Sequence, residues 1–393
     1  MSVLEGIRVL DFGRYIAGPC CATLLGDFGA EVIRVEKVDG SEDRFTSPIT
    51  SDGEGCLFLQ LGRNKKGLTL NPMKPEGKEI LARLVATADV VLANLPFETL
   101  EAMGLDYASL KAIKDDIISV TPSAFGSTGP YAAKVGFDGI GQAMAGNMHL
   151  SGPADQPTKS WAPYVDFTTA ILMAFGTMVA LRERDKTGQG QQVEGSLLGS
   201  ALWVGNAFLM EQAALALDRV GSLNRSQGGG PADTFATMDG WVLVHVTGRP
   251  LFERWARLMG EEHWLEDPRF EGDQDRGDNG QLLSERMAPW CAERSTAEVL
   301  TALEKARIPG APILNPQQAL DDPHVNAVGY LQDIDYPGLE RPARVADTPV
   351  KLSATPGAIL RRAPTLGEHT DDVLEALGYS AAEIGELREK RVV

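Results

Sequence analysis

The segment from Ile7 to Glu36 constrains the fold more than any other stretch of the chain. Ile7-Arg8-Val9-Leu10-Asp11-Phe12 is a short β-type run, followed by a Gly/Pro turn (Gly13, Gly18, Pro19), a helical stretch from Cys20 to Phe28, and a second β-type run, Glu31-Val32-Ile33-Arg34-Val35-Glu36. Strand, tight turn, helix and strand in that order make a βαβ unit, whose strands lie parallel. Val90-Val91-Leu92 and Ile117-Ile118-Ser119-Val120, separated by a helical segment around Glu98 to Lys114, continue the alternation. The fold class expected is α/β with an open sheet. Ligands of such sheets bind beyond the carboxyl ends of the strands, so chemistry is expected in the loops after Asp11, Glu36, Leu92 and Val120.

After about residue 200 the rhythm changes. Long helical stretches run to Asp218, a glycine-dense loop covers Gly221 to Pro231, and Gly240 to Val246 is a strand. A second domain starts there, with a helical body from Leu251 to about Ala319. Pro309, Pro312 and Pro316 punctuate its end, and a final helical stretch covers Asp371 to Lys390. A chain of 393 residues exceeds what one core usually organises, so more than one domain is expected.

The formal net charge of −17 repels polyphosphate backbones and anionic headgroups, which argues against nucleic-acid or membrane-surface binding. The apolar runs Ala170 to Leu181 and Leu197 to Met210 are shorter than a bilayer crossing requires and read as buried helices, so no membrane partner is expected. Cys20, Cys21, Cys56 and Cys291 show neither CxxC spacing nor a zinc pattern, and a cytoplasmic protein with reduced thiols fits them best. The five histidines are scattered, with no HExxH, so no metal site is expected.

Locally, the turn Gly13 to Pro19 follows a strand and opens a helix, and Glu36 ends the next strand where a ribose hydroxyl could bind. Arg14 to Ala17 interrupt the glycines, however, and the G-x-G-x-x-G fingerprint that lets a backbone approach a pyrophosphate is absent. Arg63-Asn64-Lys65-Lys66 suits a phosphate-bearing ligand, although a solvated charge run is the commoner meaning of such a cluster. Asp166, in Pro163-Tyr164-Val165-Asp166-Phe167, stands where a helix N-cap is expected. A carboxylate there is kept ionised by the helix dipole, and an ionised carboxylate can attack an acyl carbon.

Several short segments together carry a resemblance. Leu4 to Asp11, Ala17-Gly18-Pro19, Gly29 to Glu36, Arg63 to Lys66, Ala88 to Val91 with Asn94, Phe125 to Tyr131, Gly136-Phe137-Asp138, Thr187 to Gln191 and Leu366 to Thr370 stand in an order that resembles the class III CoA-transferase (CaiB/BaiF) family over nearly the whole chain. The resemblance implies a Rossmann-like large domain with an inserted smaller α+β domain, in an interlocked homodimer. The first part of the large domain would span 1–200, linker helices 201–225, the small domain 226–325, and a linker with the return to the large domain 326–393.

It further implies coenzyme A as a cosubstrate rather than a tightly bound cofactor, with an acyl-CoA and a carboxylic acid acceptor as partners. Carried over by position, Ile16, Ala17, Arg34, Asn64, Lys65, Asn94 and Phe137 would form the coenzyme site, with the cations meeting its phosphates. Asp166 matches the catalytic aspartate, and Gly228, Gly229 and Gly230 resemble a glycine loop that closes over the reacting centre. Three positions depart from relatives of the same family. Phe137 replaces the His that racemases use for proton transfer, Ile16 replaces a Gln of formyl-CoA:oxalate transferases, and Asn94-Leu95-Pro96 lacks an Arg near the coenzyme. CoA transfer to a free organic acid is the activity expected, with acyl-CoA isomerisation and a silent CoA-binding protein as the alternatives.

Overall fold

The computed structural model describes residues 2–393. Six strands form one parallel sheet: β1 (Arg8–Asp11), β2 (Glu31–Glu36), β3 (Lys65–Thr69), β4 (Val90–Leu92), β5 (Ile118–Ser123) and β6 (Gln192–Ser196), in the order β3-β2-β1-β4-β5-β6. Between and beyond them run α1 (Ala17–Asp27), α2 (Cys56–Leu61), α3 (Pro75–Thr87), α4 (Phe97–Met103), α5 (Tyr107–Ile113), α6 (Asp138–Met144), α7 (Asn147–Leu150), α8 (Tyr164–Thr187) and α9 (Leu197–Leu215). The strand order reverses between β1 and β4, which leaves a crevice at their carboxyl ends.

Alternation along the strands splits the core in two. Leu10, Ile33, Val35, Leu68 and Val91 pack with α3 and the C-terminal helices (Val373, Leu374, Ile384, Leu387) on one face. Val9, Val32, Val90, Leu92, Ile118 and Val120 pack with α1 and α8 on the other. Both faces are covered, as a purely parallel sheet demands.

Two strands of this sheet lay hidden in the sequence. β3 contains Lys65 and Lys66, which suggested a charge run; both lysines lie in the sheet and are paired, Lys65 with Asp11 and Lys66 with Glu31. β6 is a short edge strand of mixed polarity. The two apolar helices also differ from expectation. α8 buries one stripe (Val165, Asp166, Thr169, Ala170, Met173, Thr177, Ala180, Leu181) and leaves Ile171, Phe175 and Val179 exposed. α9 buries only Leu197, Ser200 and Ala201, with Trp203 68% exposed. At 24 residues α8 is also long and apolar enough to cross a bilayer, though its buried stripe against α1 is that of a core helix.

Contacts divide the chain into two units. One comprises the residues up to 145, 161–207 and 324–393, and contains the six-stranded sheet. The other comprises 146–160 and 208–323, with an antiparallel sheet of β7 (Ala232–Ala236), β8 (Trp241–His245) and β9 (Gly310–Pro312). Phe235, Val242, Val244, Phe252, Trp255 and Met287 form its core. Residues 146–160, expected in the large domain, belong to this second unit because Gly152 bridges Leu223 and approaches Gly221 closely enough that a side chain at Gly221 would meet the Gly152 carbonyl at 2.5 Å.

Candidate active site

The turn from β1 to α1 is fixed by three side chains through four hydrogen bonds. Asp11 Oδ1 accepts from the Gly13 amide at 2.8 Å, and Arg34 donates to the Gly13 carbonyl. Asn94 clamps Arg14, accepting from its amide at 2.6 Å and donating to its carbonyl at 2.9 Å. Tyr15 takes φ +59°, and a side chain at Gly13 would lie 2.8 Å from both Asp11 Oδ1 and Pro19 Cδ, so the sharp path needs this glycine.

Below the turn lies a closed ion network. Lys65 reaches Asp11 Oδ2 at 2.8 Å and the Pro19 carbonyl at 2.7 Å, and Arg34 holds Asp43 through both carboxylate oxygens at 3.0 and 2.7 Å. Arg34, Lys65 and Asp11 are all essentially inaccessible. Burial would raise the Asp11 pKa, but Lys65, Arg34 and the Gly13 amide outweigh it and hold the carboxyl below its ordinary value. Asn64 is equally engaged: it donates to Asp27 and to the Ala358 carbonyl, and accepts from the Leu360 and Arg361 amides. Thus Arg34, Asn64, Lys65 and Asn94, the polar side chains expected to face a coenzyme, all bind protein groups, and the two cations do not reach solvent. Glu36 is engaged as well, by Arg44 and the Ser41 amide.

Above the network, a cleft of about 690 Å³ opens at the carboxyl ends of β1 to β4. Its floor is apolar, with Phe12, Leu70, Leu95, Pro96 and Met103, and its cations are Arg14, Lys37, Lys74 and Arg391. The loops after Asp11, Glu36 and Leu92 all line it, as the sheet topology requires. The cations come from loops far apart in sequence: Lys37 pairs with Glu42, Arg391 with Asp39, and Lys74 donates to the Lys390 carbonyl. Sequence reading missed Lys37, Lys74 and Arg391, because only the fold brings Arg391, next to the C-terminus, beside strands from the first hundred residues.

Asp166 is the third residue of α8 rather than its N-cap; Pro163 holds the cap position and offers no side-chain acceptor. The cap comes from α6. Asp138 Oδ2 accepts from the Val165 amide at 2.8 Å and the Asp166 amide at 3.1 Å, and Gln142 donates to the other oxygen. The Asp166 carboxylate is left to itself at 8% exposure, and burial first, then the neighbouring Asp138 charge, push its pKa up to about 7. Val165 shares a hydrophobic cluster with Ala17, Ala145, Leu197 and Ala201, which joins the start of α8 to the β1–α1 turn. Phe137, 61% exposed, packs edge-on against Tyr15 with centroids 5.3 Å apart. The structure therefore brings together Ile16, Ala17, Phe137 and Asp166, with Asp138 as the member that sequence reading missed.

Gly228, Gly229 and Gly230 belong to the other unit. Gly228 is exposed, whereas Gly229 and Gly230 are buried, a side chain at Gly230 meeting Leu283 at 3.0 Å and the Arg276 carbonyl at 3.2 Å. Among the described residues no His, Cys, Asp or Glu cluster could hold a metal ion.

An apolar-floored cleft with cations at a Rossmann-type switch point, and a buried, unpaired carboxyl on a helix whose start packs against the first residue of α1, suit a thioester of a nucleotide-bearing thiol and a carboxylate nucleophile. Comparison with known proteins points the same way. The profile of CoA-transferase family III matches residues 4–370. The succinyl-CoA–D-citramalate CoA-transferase of Chloroflexus aurantiacus is 32% identical, over 99% of this chain and 98% of its own. The succinyl-CoA:mesaconate CoA-transferase of Haloarcula hispanica is also 32% identical, over 96% of this chain and 97% of its own. A crystal structure of a CaiB/BaiF family protein from Brucella suis, 29% identical, superposes with a TM-score of 0.84 over 96% of this chain and 99% of that one. The chain belongs to CoA-transferase family III and is a CoA-transferase.

Proposed function

We propose that the enzyme moves CoA from an acyl-CoA to a free organic acid, with Asp166 as the nucleophile. A carboxylate oxygen of Asp166 attacks the thioester carbonyl and the C–S bond breaks, leaving a mixed anhydride and the CoA thiolate. The thiolate then attacks the aspartyl carbonyl, the donor acid leaves as a carboxylate, and an aspartyl-CoA thioester remains. The incoming acid reverses these steps and departs as the new acyl-CoA. The observation that carries this reading is the Asp166 carboxyl itself: buried, without a partner cation among the described residues, and next to the turn that edges the cleft.

In this reading the coenzyme's phosphates meet Lys37, Lys74 and Arg391 at the cleft, while Arg34, Lys65 and Asn94 fix the β1–α1 turn beside it. Phe137 offers no exchangeable proton, which favours transfer over racemisation. The acids we propose are short dicarboxylic ones, in line with relatives named for succinyl-CoA with citramalate or mesaconate. A second copy of the chain covers the apolar faces of α8 and α9, since Phe175, Val179, Trp203 and Met210 are more than half exposed in the single chain.

Intact-protein mass spectrometry with hydroxylamine trapping tests the reading, beginning with succinyl-CoA. Wild type gains a mass that maps to Asp166; Asp166→Ala gains none and loses turnover by at least about 10⁴-fold. Transferase activity retained by Asp166→Ala would overturn the assignment.

A further inference from the structure

The first turn of α8 has an unusual division of labour. Of the backbone N–H groups that a helix start leaves without partners, those of Val165 and Asp166 are both taken by Asp138, which comes from another helix and is itself buried. A carboxylate in the first turn is ordinarily stabilised by these donors, either as a cap or through the helix dipole. Here they are answered by a different carboxylate, and among the described residues the Asp166 carboxylate receives neither a hydrogen bond nor a cation.

We infer that Asp138 is a positioning residue that keeps Asp166 reactive: it holds the start of α8 in register and denies the nucleophile the donors and counter-charge that would quieten it. The inference rests on the proposed role of Asp166. Its chemical consequence follows from charge alone. Attack on a thioester turns the Asp166 carboxylate into a neutral anhydride and then a neutral thioester, so each covalent intermediate relieves the repulsion between the two aspartates. A field that favours a proton on Asp166 favours an acyl group with the same sign.

Other charged or titratable groups around α8 do not share this role. On α1, burial raises the Cys20 thiol to about 11 and keeps it neutral. On β6, Glu194 accepts from Ser127 and Gln192, and at the far end of α8 Arg184 pairs with Asp89 at 2.9 Å. β5 carries no charged residue.

Asp138→Asn separates charge from shape, because an amide oxygen can still accept from the Val165 and Asp166 amides while Gln142 rotates to suit. The acid limb of kcat/KM in this variant should move about one pH unit lower, as expected when a like charge is removed beside a carboxyl. The fraction of enzyme trapped as a covalent aspartyl species at pH 8 should fall about tenfold, the same change read as an equilibrium. An acid limb and a trapped fraction equal to those of wild type would overturn the inference. If Asp138→Asn does not fold, Asp138→Ser decides, since a hydroxyl oxygen accepts from the same amides without carrying a charge: a limb about one unit below that of wild type supports the inference, and one equal to it overturns it. These results stay distinct from failure of the nucleophile assignment, in which wild type forms no adduct on Asp166 at all.

Discussion

Asp11 and Asp166 are both buried aspartates of the same unit, and they have opposite surroundings. Asp11 ends β1 with an ammonium on one oxygen, an amide on the other and a guanidinium 3.7 Å away. Asp166 sits in the first turn of α8 with no such partner among the described residues and a second carboxylate next to it. Burial disfavours the charge of both, but pairing more than compensates at Asp11 and nothing compensates at Asp166. A buried carboxylate surrounded by its partners is framework, whereas one kept from partners is the kind of group we propose as nucleophile.

The same substitution should therefore act in opposite senses at the two sites. Asp11→Asn leaves the Lys65 ammonium buried without its counter-charge, and its single oxygen can answer either Lys65 or the Gly13 amide but not both, so it should destabilise the fold by about 3–5 kcal/mol near neutral pH. Because the folded pKa of Asp11 is depressed, its stabilisation is present above the unfolded value near 3.8 and lost as pH falls through the folded one. The difference between variant and wild type in urea titrations should thus close in acid. Equal stability at pH 7 would show that the network is not framework.

Asp166→Asn should do the reverse. Its carboxyl ionises near pH 4 in the unfolded chain and near 7 in the folded one, so the folded state gives up stability progressively across that window. The neutral amide should match wild type below pH 4, gain through pH 4 to 7, and level off above 7 at roughly 2–4 kcal/mol of added stability, since a tenfold change in a proton's affinity is worth about 1.4 kcal/mol. A variant with lower stability than wild type at pH 8 would mean that Asp166 has a partner in solution.

The two aspartates also mark what could be read from the sequence. The strands around Asp11, Glu36 and Leu92 announced themselves as short β-type runs of Val, Ile and Leu, and the switch-point rule pointed to strand ends where a cleft does lie. β3 did not, because Lys65 and Lys66 look solvated until one knows that Glu31 lies on the adjacent strand β2 and that Lys65 reaches Asp11 on β1 beyond it. Asp166 and its role as nucleophile were expected from its position before an apolar helix and from the family resemblance, but its surroundings were not, since the cap on that helix is supplied by Asp138, 28 residues earlier, and no local spacing encodes it. Arg34 and Lys65 carried the motif's positive charge and were expected to meet phosphates. Because both are buried inside the sheet, we propose Lys37, Lys74 and Arg391 for that task, three cations that line the cleft and share no motif.

The smallest of the expected effects tests that assignment. Lys74 and Arg391 line the cleft at its exposed rim, and each already has a partner there, the Lys390 carbonyl and Asp39. A phosphate has to compete for them, and exposed charges are screened, so each contact is modest. Lys74→Ala and Arg391→Ala should each raise the KM for acyl-CoA about threefold to tenfold, with the effect fading as salt is added and with kcat and stability unchanged. Arg34→Leu should instead lower the yield of folded enzyme and leave the KM of what survives close to wild type, because its guanidinium holds Asp43 and the Gly13 carbonyl and is sealed from the cleft. A KM that rises in Arg34→Leu but not in Lys74→Ala or Arg391→Ala would reverse the two roles, and would require the ion network to open when the coenzyme binds.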